Sequence, residues 1–123
     1  MKHLEIEFRF GLGFEWKGTP LTPELITVGL RQIRDCAIEA FGGCTLTRAE
    51  GDWLDIGTDK IVSEEVATLS VLVELPIVPG VEMPPRERAR VESNIGSMVN
   101  AIKTLLNQAA VYVTRYQVDS RLH

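Results

Sequence analysis

The chain is short of most things that announce a function. It has only two cysteines, Cys36 and Cys44, too few for a disulfide framework and without the spacing of a zinc site. Its two histidines, His3 and His123, stand in no Ser-His-Asp or Cys-His arrangement. Gly11-Leu12-Gly13 lacks the third glycine and the Lys-Ser/Thr step of a phosphate loop. No apolar run approaches the roughly 18 residues of a membrane-spanning helix. The charged, alternating start Met1-Lys2-His3-Leu4-Glu5 does not read as an export signal. The expected home is therefore the cytoplasm. Positive charge is not in excess either: 13 Lys and Arg against 17 Asp and Glu leave a net charge of -4. That removes any general attraction to nucleic acid or to anionic membranes. Repeats, low-complexity tracts and linker-like stretches are also missing, so the expectation is a single domain over residues 1–123. That length can bury a core without disulfides or metal.

What is present is periodicity. Residues 3–10 alternate, with Leu4, Ile6, Phe8 and Phe10 on one side and His3, Glu5, Glu7 and Arg9 on the other, the period of a strand with one covered face. Three glycines and a proline in residues 11–20 then predict a loop, which carries Phe14 and Trp16. Thr22-Pro23-Glu24 predicts a helix start with Thr22 as N-cap. Ile26, Leu30, Ile33, Ala37 and Phe41 stack on one face of that helix, and Gly42-Gly43 ends it.

Residues 44–56 predict a second strand in which Gly51 marks a bulge. The turn chemistry of Ile56-Gly57-Thr58-Asp59-Lys60 joins it to a third, where Ala67, Leu69, Val71, Val73 and Leu75 alternate with mostly polar or small residues. This hairpin is the centre of the expected fold. Residues 76–85 form a proline-rich connection whose Ile77, Val78, Val81 and Met83 need cover from the domain or from another chain. A second helix follows, with the stripe Val91, Ile95, Met98, Ile102, Leu105 and Ala109, and a last strand over residues 110–119.

The order β-α-β-β-α-β predicts an α+β ferredoxin-like βαββαβ sandwich: a four-stranded antiparallel sheet of order 4-1-3-2 with both helices on one face. Glu5, Glu7, Thr68 and Ser70 would share the uncovered face with Arg115 and Gln117, placing Arg115 near Glu5 or Glu7. Acidic side chains there, and no aromatic pair on the central strands, argue against an RNA-recognition surface.

Phe8-Arg9-Phe10-Gly11-Leu12, Gly51-Asp52-Trp53 with the following Glu64-Glu65, and Asn107-Gln108-Ala109-Ala110-Val111 together resemble a group of small bacterial and phage-associated proteins known only as a domain of unknown function. The resemblance spans much of the chain and departs at residues 76–85. It implies the ferredoxin-like fold and, the group having no settled activity, carries over no catalytic residue.

Glu50, Asp52, Asp55, Asp59, Glu64 and Glu65 are the one concentration of titratable groups. Facing each other across a hairpin, they would serve as an acid-base pair or bind a hard cation; the alternative is that they solvate the hairpin end. Trp53 is expected to cap the core, with a ligand-stacking platform or an interface anchor as the alternative, and Trp16 is open between pinning its loop and binding. Both thiols are expected to be buried and reduced. The leading expectation is a small homo-oligomer, most simply a dimer, that binds a protein or a small-molecule ligand through Trp16, Arg48, Trp53, Glu65 and Arg115, with no cofactor and no metal. The version of it that the resemblance implies is a phage-type or bacterial accessory or inhibitor protein that engages a host component. The rival is a cofactor-independent enzyme of the dimeric α+β barrel kind with Asp52 or Glu65 as general base.

Overall fold

The structure, a computed structural model, describes residues 2–15, 18–74 and 84–119. Trp16 and the apolar Ile77, Val78, Val81 and Met83 lie outside the described residues. The elements run β1 (Lys2–Gly11), α1 (Pro23–Phe41), β2 (Thr45–Asp55), β3 (Lys60–Glu74), α2 (Pro85–Leu106) and β4 (Tyr112–Asp119). They form one antiparallel sheet of order β2-β3-β1-β4, the ferredoxin-like arrangement.

The alternation of β1 sends Ile6, Phe8 and Phe10 into the core beside Ala67, Leu69 and Val71 of β3. From the helices come Ile26, Leu30, Ile33 and Ala37 of α1 and Val91, Ile95, Met98, Ile102 and Leu106 of α2. Thr22 caps α1 as its sequence predicts, its hydroxyl accepting from the Leu25 amide at 3.2 Å, and Gly42 ends the helix at φ 84°. The α2 stripe differs from the expected one at its end. Asn107 turns left-handed at φ 49° and stops the helix, so Leu106 is buried and Ala109 lies exposed beyond it. The change follows from close packing of the two helices. A Cβ at Gly29 would sit 2.6 Å from a Leu106 methyl, so this contact needs a residue without a side chain on α1.

The pairing of β2 with β3 runs without interruption from Thr45 opposite Ser70 to Asp55 opposite Lys60. Gly51 therefore sits in regular register opposite Glu64 and marks no bulge. Because β1 pairs with β3 only from Val66 onward, residues 50–55 and 60–65 continue past the end of β1 as a two-stranded arm. At a strand rise of about 3.4 Å per residue the arm is roughly 20 Å long.

Candidate functional site

Hydrogen bonds tie the base of the arm to the loop after β1. The Leu12 amide donates to the Glu65 carbonyl at 2.7 Å. The Gly13 and Phe14 amides donate to Glu64 Oε1 at 3.0 and 3.3 Å. A Cβ at Gly11 would clash with Glu64 Oε1, and one at Gly13 would sit 2.6 Å from the Glu64 side chain. The two glycines thus make room for a carboxylate of the chain's own, which takes the amides of this turn. From the other side Gln108 Nε2 donates to the Phe14 carbonyl at 2.8 Å, which fastens the same loop to the end of α2.

At the far end of the arm, Asp55 organises the turn. Its carboxylate accepts from the Gly57 amide at 3.0 Å and the Thr58 hydroxyl at 3.1 Å, and its carbonyl accepts from the Asp59 amide at 2.7 Å. Such bonds are the usual reason for aspartate at a turn. Between the ends, the Ser63 hydroxyl donates to Asp52 Oδ1 across the ribbon, and Arg48 Nε donates to Glu65 Oε1. Glu50 lies directly opposite Glu65. Like charges so placed repel, and Arg48 on the same face offsets them. Hydrogen bonding to Arg48 holds the Glu65 carboxyl below the usual carboxylate range, and the same bond raises the Arg48 guanidinium.

Asp52, Asp55, Glu64 and Glu65 of the hairpin are accordingly dispersed into separate structural tasks. Among the described residues no group of three or more His, Cys, Asp or Glu side chains is placed to hold a metal ion. Glu65 is exposed, and its lowered pKa makes it a weaker base at neutral pH. The depression beside it, about 390 Å³ between Arg48, Glu50, Ser63 and Glu64, is lined largely by polar groups. A general base needs the opposite surroundings: burial, or a neighbour that raises its pKa. A larger groove of about 590 Å³ lies between the helices at Cys36, Arg90 and Asn94, and no expected site residue lines it.

Of the four expected binding residues that are described, the structure brings only Arg48 and Glu65 together. Trp53 is on the opposite face of the arm, in register with Val62. It is 44% exposed and does not cap the core: it projects from the arm, beyond the last residue of β1. Arg115 is at the far edge of the sheet and not on the uncovered face. It pairs in register with buried Ile6 on the helix side and reaches Glu92 of α2 at 2.8 Å. The reason is the two-residue period. Val111 and Val113 pack against the core and carry Arg115 with them, leaving Tyr112 and Tyr116 on the uncovered face beside Arg9 and Glu5. Cys36 also departs from expectation, being exposed on the flank of α1, whereas Cys44 is half-buried.

Beyond Trp53, the surface of the arm was not expected from the sequence. Leu54, Ile56 and Ile61 are 56%, 95% and 75% exposed, and with Trp53 they place four large apolar side chains in water within nine residues of chain. The signal was there in the apolar residues on both faces of residues 53–62, where a ribbon with one solvated face would alternate.

No family model and no curated protein matches the chain. Among solved structures it is similar to a phage SAM lyase in complex with S-methyl-5'-thioadenosine, at a TM-score of 0.59 and 9% identity over 96% of this chain and 90% of that one. A phage SAM lyase in the apo state aligns at a TM-score of 0.56 and 10% identity, over 98% and 91% of the two chains. A Bacillus cereus protein related to NIF3 aligns at 0.53 and 8% identity, over 97% of this chain but 26% of that one. Likeness at these identities is a likeness of fold.

Proposed function

We propose that the chain is a small cytoplasmic homo-oligomer, most simply a dimer, that acts by binding and not by catalysis. One observation carries this reading: the arm exposes Trp53, Leu54, Ile56 and Ile61 where, among the described residues, no strand of the body lies beside it. Apolar side chains gathered at one exposed place mark an association surface, and tryptophan is enriched where binding energy concentrates. Among the described residues no helix is long and apolar enough to cross a membrane; the net charge of -4 favours a protein surface over an anionic lipid one as the cover. The general-base reading of Glu65 loses weight because Arg48 lowers its pKa in an exposed setting. The bound partner would be a protein or a small molecule, and an accessory or inhibitor role falls within this reading. Native mass spectrometry of gently purified protein tests it, because one spectrum reports both subunit number and retained mass. A discrete oligomer is the expected result. A bare monomer at every concentration would overturn it.

A further inference from the structure

The outer edge of β2 has no strand beside it among the described residues. This edge is eleven residues long, with an unbroken register and neither proline nor lysine, so of the usual protections against pairing with another chain it has only charge, in Arg48, Glu50, Asp52 and Asp55. We infer that β2 of a second copy pairs antiparallel with this edge about a two-fold axis at Ala49, joining the two sheets into one. The inference rests on the homo-oligomer reading above and names its surface.

Charge selects the register. A two-fold axis perpendicular to the sheet keeps each face with its own kind, so it passes through a residue that meets its own copy. On the face that carries Arg48, Glu50 and Asp52, an axis at Arg48 or Glu50 would set that residue against its own like charge. An axis at Gly51 would set Glu50 against Asp52. An axis at Thr47 makes no ion pair. The axis at Ala49 sets Arg48 opposite Glu50 of the second copy and Glu50 opposite its Arg48, two ion pairs with no like charges opposed. Arg48 then bridges its own Glu65 and the second copy's Glu50, relieving the repulsion between Glu50 and Glu65 in each chain.

Shape supports the same register independently. Ala49 is the last β2 residue whose β3 partner is also paired to β1, so this axis lays each projecting arm along the sheet-bound half of the other strand. Trp53 comes opposite Thr45 of the second copy, and Leu54 opposite its Cys44. A depression of about 310 Å³ is present there, bordered by Phe41, Gly43, Cys44, Thr45 and Leu72. Leu72 is itself 57% exposed and shares the uncovered face with Thr45 and Trp53. The exposed indole of one copy thus meets the exposed leucine of the other.

Cysteine cross-linking tests this in the full chain with Cys36→Ser and Cys44→Ala in the background. Ala49→Cys, on the axis, is expected to give an interchain disulfide dimer under mild oxidation, whereas Thr47→Cys, opposite Gly51, is not. In sedimentation, Glu50→Arg is expected to weaken the dimer at least tenfold while sparing the monomer, since it places a cation beside Glu65. Adding Arg48→Glu to it restores the dimer by exchanging the charges. A dimer in which Ala49→Cys fails to cross-link, or in which Thr47→Cys links equally well, overturns the β2 pairing and leaves the homo-oligomer reading standing. A chain that stays monomeric overturns both.

Discussion

The two ends of β3 obey different rules. From Val66 to Leu72 it lies between β2 and β1, its inward side chains Ala67, Leu69 and Val71 are buried, and both of its edges are paired through most of that span. From Lys60 to Glu65 the same strand has one partner, and Ile61 is left 75% exposed. Residues of similar β propensity thus build a core at one end and a wet ribbon at the other. What separates them is the place where β1 stops. A strand's apolar residues say that it wants cover; the neighbouring strand decides whether its own chain supplies it.

Substitutions should sharpen this contrast, beginning in the body. Phe8 is wholly buried and packs against Phe41 at 6.4 Å between ring centres. Phe8→Ala should cost about 3–5 kcal/mol by chemical denaturation, as large-to-small changes in packed cores do. The boundary between the two regions comes next. Glu64→Ala leaves the Gly13 and Phe14 amides without their acceptor and should cost about 1–2 kcal/mol, with faster hydrogen exchange at those two amides. A larger loss would mean that the arm and the body unfold as one unit.

The smallest effect should come from the arm's ion pair. Arg48 lowers the Glu65 pKa, so the stabilisation is present above the ordinary carboxylate pKa and is lost as pH falls through the lowered folded value. Both side chains are nearly half exposed, and solvent screening limits the contribution to about 0.5 kcal/mol. Glu65→Gln should therefore differ from the parent chain by no more than that at pH 7, and the difference should vanish in acid. A difference that persists in acid would assign the effect to packing and not to charge.

Elements whose residues answer to one local rule were legible in the sequence. Thr22 and Gly42 bound α1 through cap chemistry alone, and the β1 alternation assigned Ile6, Phe8 and Phe10 to the core. Features that depend on a neighbour were not. The period of β4 was readable, yet which of its faces met the helices turned on the packing of Val111 and Val113, and Arg115 went with them. Gly51 looks like a bulge until the register with β3 is seen to be continuous. Trp53 looks like core because tryptophan usually is, and its exposure follows from the length of another strand. Glu64 read as one of a charged cluster, while its task is set by Gly11 and Gly13, far earlier in the chain. The candidate surface was thus half visible: Arg48, Trp53 and Glu65 were named, and the projection that gives them a common context was not.

The most direct test compares sedimentation of the parent chain with that of Ile56→Ser/Ile61→Ser at micromolar concentrations. Both positions lie on the exposed arm, where such changes alter monomer stability by about 0.5 kcal/mol or less. A parent oligomer and a doubly substituted chain that is folded and shifted to monomer are expected. A parent chain that sediments as monomer, or an oligomer indifferent to the two serines, would contradict it.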